Sequence, residues 1–276
     1  MPEPRRSSRR PSLARWGLII VCTLILLFVA IPTLIVVPVS FSATEYLAFP
    51  PTEITTRWYE EFLTDPDWVR ATLLSLQIGV VVTIISTIIG TMAALAIVRG
   101  LGGNSWFSIF VSGPLIVPTI IYAIAVLLFF SQLHISGTFH GFVLAHTALA
   151  SPYVVIIVSA ALYRSDPSLE LAAMNLGASR ARAVWEVTLP SIRPALVAGA
   201  AFAFLVSFDD ATVSFFLASL SDMTLPRKMF ENLLFFISPV LAVVATLLTI
   251  FTVVLIGGIQ VLQGRRDRPS AEARPE

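Results

Sequence analysis

The sequence SDPSLELAAMNLGASRARAVWEVTLP occupies residues 165–190 and forms a polar island in an otherwise apolar chain. Asp166 followed by Pro167 indicates a helix start, because aspartate is a good N-cap acceptor and proline loses nothing at the first helical position. Glu170 adds negative charge to the first turn, where the helix dipole favours it. Apolar residues then recur every three or four positions, which predicts one apolar stripe along a short helix.

A second short helix is predicted to follow the first across a glycine. Gly177 suits the left-handed turn that ends a helix. Ser179 is a good residue to open the next helix, which we expect to end at Pro190. Two short helices joined at a glycine make a compact elbow, and an apolar face on a cytosolic elbow requires a partner. The stretch therefore predicts a docking element.

The composition excludes a water-soluble domain. Of the 276 residues, 56% are hydrophobic and 13% are charged, and the mean hydropathy is +0.85, as in multi-span membrane proteins. The one cysteine, Cys22, lies in an apolar run, so no disulfide within the chain is expected. No glycine-rich phosphate loop precedes the one lysine, Lys228. We therefore expect no ATPase site, no catalytic residues and no cofactor in this chain.

Three histidines, His134, His140 and His146, are spaced by six residues. This spacing does not place them on one helical face in the way that metal-binding pairs are placed. We therefore expect the histidines in loops or at the membrane interface, and we predict no metal site.

Long apolar runs predict six transmembrane helices, because each is long enough to cross a bilayer. A basic leader, residues 1–16, precedes the first run, which is too long for the apolar core of a signal peptide and is interpreted as a retained span. A tail at 263–276 follows the last run, and the polar island lies in a loop at 164–194. The predicted spans are about 17–39, 69–98, 106–130, 141–163, 195–217 and 239–262.

Arginine and lysine are distributed unequally between the two sides of this topology. Fourteen of the 18 fall in the leader, in the link after the second span, in the 164–194 loop and in the tail. Positive charge is retained on the cytoplasmic side of membranes, so we expect both termini and the elbow in the cytoplasm. The opposite loops are acidic. They are either simply solvated or they favour cations and dock a binding protein.

Asp209 and Asp210 are adjacent carboxylates inside the predicted fifth span. Asp209 lies fifteen residues beyond Pro194, which is about 22 Å along a helix. This places the pair in the outer half of a hydrocarbon layer about 30 Å thick. Charged groups at such a depth usually face a cavity or a partner. The pair either lines a substrate path, or caps a broken helix, or meets an arginine of a neighbouring chain.

Aromatic and hydroxyl side chains surround the two carboxylates. A carboxylate beside an aromatic ring suits an organic ammonium, through Coulomb attraction and cation–π contact, and a linear polyamine carries several such groups. The phenylalanines also fit ordinary helix packing, so this interpretation depends on the aspartates. The predicted path residues are Ser207, Phe208, Asp209, Asp210, Ser214 and Phe215.

The elbow resembles a loop of one transporter family, the Glu-Ala-Ala loop of ABC-importer permeases. That motif reads Glu-Ala-Ala, three residues, Gly, and then about a dozen residues to Leu-Pro. Leu171 stands at the position of the motif's glutamate, and Glu170 comes one place earlier. The positions that match are Ala172, Ala173, Gly177, Leu189 and Pro190.

The resemblance implies an all-α membrane protein of six transmembrane helices, a type I (MetI-like) importer permease with a cytoplasmic coupling elbow in a bacterial inner membrane. It implies two cytoplasmic ABC ATPases, a second and usually non-identical permease, and an extracytoplasmic substrate-binding protein as partners. It also implies that the elbow couples to the ATPase through Asp166, Glu170, Ala172, Ala173, Gly177, Ala178, Leu189 and Pro190.

Residues 207–232 resemble the spermidine/putrescine-type subgroup of these permeases, which implies a polyamine or a related organic cation as substrate. Related permeases carry ferric iron, opines or amino acids, and these substrates remain alternatives. A second class of protein that fits the six spans is a secondary transporter, which needs no ATPase. Such a protein more often carries buried charges on several spans or an internal repeat, whereas here the charges within spans are concentrated at Asp209 and Asp210.

Overall fold

A computed structural model describes residues 13–100, 105–218, 222–235 and 238–264, and the structural statements below concern these residues. Among them, no strand is found beyond an isolated bridge between Ser42 and Ile54. The helices are α1 (Leu13–Val39), α2 (Arg57–Thr64), α3 (Pro66–Val98), α4 (Ser105–Ile116), α5 (Thr119–Gln132), α6 (Phe139–Arg164), α7 (Pro167–Asn175), α8 (Arg180–Ala183), a π-helical turn (Val184–Thr188), α9 (Leu189–Ser191), α10 (Arg193–Phe208), α11 (Thr212–Leu217), α12 (Leu225–Phe235) and α13 (Val240–Gly264).

Up to six spans are present in the described part of the chain. Two of them are bent pairs: α4 and α5 meet at 107°, and the helical stretch that ends in α9 meets α10 at 77°. The other four are single helices that are long and apolar enough to cross a bilayer, namely Arg15–Val39, Pro66–Val98, Phe139–Arg164 and Val240–Gln260.

Pro118 explains the bend between α4 and α5. Proline has no N–H to continue a helix and pushes the preceding residue, here Val117, out of the helical region. Accordingly α4 ends at Ile116 and α5 begins at Thr119. The third span, expected as one helix over 106–130, is therefore a bent pair in the structure.

The chain divides into two compact units, and the first contains the described residues of 1–62 and 237–250. In this unit, α2 holds the segment that follows α1. The Trp58 indole donates to the Ser42 carbonyl at 2.8 Å, and the Ser40 hydroxyl lies 2.7 Å from the Tyr59 hydroxyl. These contacts fix the connection between α1 and α2.

The second unit contains the described residues of 63–236 and 251–276. Its core is formed where α3, α6 and α10 pack against one another around buried aliphatic side chains. Gly90 of α3 lies so close to α6 that an added Cβ would be 2.7 Å from the Cβ of Val154. Small residues allow helices to approach closely in a membrane, so α3 and α6 are in tight contact here.

In the same unit, α12 is fixed to α3 at two points. The Leu225 amide donates to the Ser75 hydroxyl at 2.8 Å. The Lys228 ammonium lies 3.5 Å from the Asp67 carboxylate and 5.1 Å from the centroid of the Trp68 ring. These contacts determine where the neighbouring side chain, Arg227, is placed.

Candidate functional site

The elbow consists of short helices that begin at the positions the sequence predicts. Asp166 caps α7, because its Oδ1 accepts the Ser168 amide at 2.9 Å. Gly177 has a φ of +94°, in the left-handed region that favours glycine. The Ser179 hydroxyl then accepts the Arg182 amide at 3.3 Å at the start of α8.

The second helix of the elbow extends slightly past its expected end. Pro190 lies inside α9, which ends at Ser191 and follows the π-helical turn. Proline crowds the carbonyl four residues before it, and a π turn moves the local hydrogen bonds to the fifth residue back. The Leu189 amide accordingly bonds the Val184 carbonyl.

The Asp166 cap is ionised at cytoplasmic pH. Hydrogen bonds from the amide and then the hydroxyl of Ser168 lower the pKa of the Asp166 carboxyl below its ordinary value of 3.8, because they favour the charged form. A lowered pKa contributes stability that is fully present above the ordinary value and is lost as the pH falls through the lowered pKa. No change in this cap is therefore expected between pH 5 and pH 8.

Several large apolar side chains of the elbow are exposed to solvent. Leu176, at the turn, is 90% exposed, and Trp185, in the π-helical turn, is 73% exposed. Isolated exposed side chains are ordinary on a protein surface, but a set of them on one short segment marks an interaction site. We call this set the elbow face, and it consists of Leu169, Leu171, Met174, Leu176 and Trp185.

Glu170 joins the elbow to the end of α3. Its side chain is buried, its Oε2 lies 3.0 Å from Nη2 of Arg99, and the same oxygen accepts the Thr188 hydroxyl at 3.0 Å. A cavity of about 440 Å³ borders this cluster, lined in part by Arg164 and Ser165. One carboxylate therefore links Arg99, the residue that caps the end of α3, with α7 and the π-helical turn. The sequence marked Arg99 only as the end of a span, and nothing in its spacing pointed to Glu170.

We expect Glu170→Gln to destabilise this unit by about 3 kcal/mol, because removing one charge from a buried ion pair leaves the other unpaired at a cost of about 3–5 kcal/mol. We expect the lower end of this range because the glutamine side chain still accepts the hydrogen bond from the Thr188 hydroxyl. Denaturation of the purified chain in detergent measures the change.

The matched control for this substitution is Glu186→Gln. The Arg182–Glu186 pair has the similar separation of 2.9 Å, but its side chains are 67% and 55% exposed. Exposed pairs contribute only about 0.2–1 kcal/mol. Equal losses of stability in the two variants would contradict a special role for the Glu170 pair.

The predicted fifth span is broken at the two aspartates. Helix α10 ends at Phe208 and α11 begins at Thr212. The Asp209 amide bonds the Leu205 carbonyl and closes α10. Asp210 Oδ2 accepts the Val213 amide at 2.9 Å and the Ser214 amide at 3.1 Å, so Asp210 caps α11. The sequence left this possibility open, as carboxylates that cap a broken helix.

The position of His146 corrects the expectation that the histidines lie in loops or at the interface. His146 lies within α6 and is 1% exposed. Its Nδ1 lies 3.0 Å from the Ser207 carbonyl oxygen and 3.1 Å from the Ser207 hydroxyl, and its Nε2 lies 3.7 Å from Oδ2 of Asp210. Burial is possible because the ring finds these polar neighbours. The sequence does contain a signal for this burial, because His146 lies inside an apolar run and ionisable residues within spans usually have a partner.

The predicted path residues separate into two groups. Ser207, Phe208 and Ser214 are buried, and the Phe208 ring packs on Phe204 at a centroid distance of 5.2 Å. Asp209 is exposed, Asp210 is half-buried, and Phe215 is 39% exposed. The exposed carboxylate and the exposed ring are therefore the members of the set that a ligand is able to reach.

A cavity of about 300 Å³ adjoins the break in the helix, lined by Ile120, Ala211, Thr212, Phe215, Phe216 and Phe230. The Arg227 guanidinium lies over the Phe215 ring, with Cζ 3.9 Å from the centroid. Its Nε and Nη1 are buried and have no hydrogen-bond partner among the described residues. One face of Phe215 is thus already in cation–π contact, which the sequence did not indicate.

No group of three or more His, Cys, Asp or Glu side chains in the four described ranges is placed to hold a metal ion.

Comparison with solved structures identifies the fold. The chain resembles a chain of a bacterial ABC transporter involved in the import of the acidic polysaccharide alginate, with a TM-score of 0.68 and 17% identity over 96% of this chain and 99% of that one. It also resembles a chain of the MetNI methionine ABC transporter in an inward-facing conformation, with a TM-score of 0.59 and 20% identity over 70% of this chain and 93% of that one. The fold is that of an ABC-importer permease, and the predicted fold class is confirmed.

The chain belongs to the family described as binding-protein-dependent transport system inner membrane component, whose sequence profile matches residues 86–268. It is 33% identical over 229 residues to the putrescine transport system permease protein PotI of Escherichia coli (strain K12), covering 80% of this chain and 81% of that protein. It is 30% identical over 245 residues to the spermidine/putrescine transport system permease protein PotC of the same strain, covering 87% and 91%.

This protein is therefore a multi-pass permease subunit of an ABC transporter of the inner membrane, as the elbow motif indicated. In general, permeases of this family work with an ATPase, a second permease and a binding protein.

Proposed function

We propose that this permease forms half of a path for polyamines such as spermidine or putrescine, or for a related organic cation. The observation that carries the proposal is the break at 209–211, which holds the exposed Asp209 carboxylate and whose last residue, Ala211, lines a cavity with aromatic walls. Carboxylates and aromatic rings together suit ammonium groups separated by methylenes. The transport systems named for PotI and PotC, whose permeases are similar to this chain, also support an amine substrate.

The position of Arg227 limits which groups of the proposed site a substrate ammonium is able to contact. Because its guanidinium covers one face of Phe215, a substrate ammonium has to use the other face or displace the arginine. The carboxylate of Asp209 therefore supplies most of the attraction in the proposed site, and Phe215 assists it. Ser207, Phe208 and Ser214 are proposed to shape the wall of the path from behind, since all three are buried.

The proposed topology places residues 1–16, the 164–194 loop and the 263–276 tail in the cytoplasm, around a six-span permease domain at 17–262. The charge distribution supports it, since fourteen of the 18 arginines and lysines lie in the segments so placed. The chain carries no ATPase site of its own in this proposal, and it works with two ABC ATPases, a non-identical permease and an extracytoplasmic binding protein.

The elbow is proposed to carry the motion of the ATPases into the spans. Its exposed apolar face is suited to a groove on another protein, and Gly177, Ala172, Ala173 and Ala178 keep that surface compact. Two connections lead inward: the Glu170–Arg99 pair joins the elbow to α3, and α9 is followed by α10 after one residue. Helix α10 ends at Phe208, directly before Asp209, so one helix connects the elbow to the proposed path.

The substrate is tested with the co-encoded binding protein. Its thermal unfolding is measured with spermidine, putrescine, amino acids and ferric ion, because a ligand stabilises the protein that binds it by mass action. A ligand at 100 times its Kd stabilises by about 2.7 kcal/mol. We expect this stabilisation with an amine, and stabilisation by ferric ion or an amino acid alone would overturn the polyamine proposal.

A further inference from the structure

One buried side chain contacts the last turn of α10 and lies near the carboxylate that caps α11. His146, on α6, is 1% exposed. Its Nδ1 lies 3.0 Å from the backbone oxygen of Ser207, in the last turn of α10. On the other edge of the ring, Nε2 lies 3.7 Å from the carboxylate of Asp210, which caps α11.

A break in a membrane helix exposes backbone groups that require partners. The last carbonyls of the first segment and the first amides of the second have no intrahelical partner, and the hydrocarbon layer supplies none. Asp210 accepts two amides of α11. His146 holds the other side through Ser207: with the proton on Nδ1 the ring donates to the Ser207 carbonyl, and with the proton on Nε2 it accepts the Ser207 hydroxyl.

In either tautomer the ring is held on Ser207, at the end of α10. Nε2 makes no hydrogen bond among the described residues, and its separation from Asp210 is longer than a hydrogen bond. The Ser207 contacts therefore fix the ring, and the Asp210 carboxylate lies near its far edge. The edge-to-face contact of the ring with Phe142, at a centroid distance of 6.1 Å, completes its surroundings.

We propose that His146 is a positioning residue that fixes the corner at residues 209–211 and thereby the place from which Asp209 faces the transport path. The first part of this proposal, that His146 fixes the corner, concerns the fold and depends on the contacts with Ser207 and Asp210. Only the second part, that Asp209 faces the transport path, rests on the proposed function. His146 does not touch the substrate in this proposal. It determines how well the corner is held for substrate binding and so affects KM.

The test compares His146→Leu with His146→Asn in the complete transporter, reconstituted in proteoliposomes with its ATPase, partner permease and binding protein. Asparagine places an amide N–H near the position of Nδ1 and is able to restore the Ser207 contact, whereas leucine fills the space without a donor. His140→Leu is the matched control, because His140 lies in the first turn of the same helix and is exposed.

The first readout is independent of the substrate. In a Cys22→Ser background, the thiol introduced by Asp209→Cys is labelled with a membrane-impermeant maleimide. We expect His146→Leu to change the labelling rate at least about fivefold, since a lost hydrogen bond at a buried group is worth about that factor or more. His146→Asn is expected to restore the rate, and His140→Leu to leave it unchanged.

The second readout is the KM of amine uptake with Asp209 in place. We expect His146→Leu to raise KM about tenfold, and His146→Asn to stay within about threefold of the wild-type value. An unchanged labelling rate in His146→Leu, or the same change in both variants, overturns the proposal and makes His146 a packing residue. A labelling change that asparagine reverses, with KM unchanged, supports the positioning role and instead removes Asp209 from the path.

Discussion

Gly177→Asp abolishes ATP-driven uptake while the chain still inserts into the membrane at its normal level. This expectation combines two features of the turn. A residue with a Cβ is strained at the φ of +94°, by roughly 1–2 kcal/mol. The new carboxylate also enters the elbow face next to Leu176, which is 90% exposed. Docking against an apolar groove would strip water from that charge, which is costly.

The single chain itself accepts the aspartate side chain, because no atom lies within 4 Å of the position that a Cβ would take at Gly177. The loss should therefore occur at docking and not at insertion. Co-purification of the ATPase with the tagged permease, together with uptake in membrane vesicles, measures it. We expect at least a tenfold fall in both, since about 1.4 kcal/mol corresponds to a factor of ten.

Two controls separate strain from charge in this experiment. Gly177→Asn puts an uncharged residue that tolerates the left-handed region at the same position, and we expect it to retain much of the uptake. Gly100→Asp introduces the same residue at a positive φ outside the elbow, because Gly100 has a φ of +83° and no atom within 4 Å of the position of an added Cβ. Normal uptake by Gly177→Asp would contradict the coupling role of the elbow.

Asp209→Asn raises the KM of amine uptake by about 10- to 100-fold without lowering the amount of permease in the membrane. The side chain of Asp209 is exposed and no cap bond to it is found in the described structure, so its loss does not weaken the corner. Contacts of charged groups are worth about 1.5–3 kcal/mol, which gives this range of KM. Uptake of radiolabelled amine by the reconstituted transporter measures the change.

Asp210 requires a pair of substitutions, because its carboxylate also caps α11. The side-chain oxygen of asparagine also accepts amides, so Asp210→Asn removes the charge and retains an acceptor for the two amides of α11, whereas Asp210→Ala removes both. We expect weaker uptake from the first and, in addition, less assembled permease from the second. Asp65→Asn is the control, since the Asp65 carboxylate also accepts two amides in the first turn of its helix, α3. Wild-type uptake by both Asp209→Asn and Asp210→Asn would remove the carboxylates from the path.

The elbow was predictable because its signals are local. Asp166 with Pro167, Gly177 and Ser179 each specify the backbone at their own position, and a motif with fixed spacing needs no tertiary information. The break at 209–211 was only partly predictable. Hydropathy alone predicts one helix over 195–217, and the two aspartates were the only sign that the apolar run is divided there.

The contacts of Glu170, His146 and Arg227 could not be derived from the sequence. Glu170 meets Arg99 across 71 positions of the chain, and His146 meets Ser207 across 61. Such pairings depend on how helices pack, and periodicity along one helix gives no information about the partner on another. For His146 the sequence did contain one indication of a buried partner, because it is an ionisable residue in an apolar run. Its spacing to the other histidines indicated only that no metal site is formed.

The order of α9 and α10 has a mechanical consequence. The two helices are joined through Ile192 alone, and the helical stretch Arg180–Ser191, which ends in α9, meets α10 at 77°. Helix α10 has 16 residues, so it is a rod about 24 Å long. If such a rod is tilted by about 10° about its Arg193 end, its far end moves by about 4 Å, more than the diameter of a water molecule. A small rotation at the membrane surface is therefore large enough, by leverage alone, to open or close a gap beside Asp209.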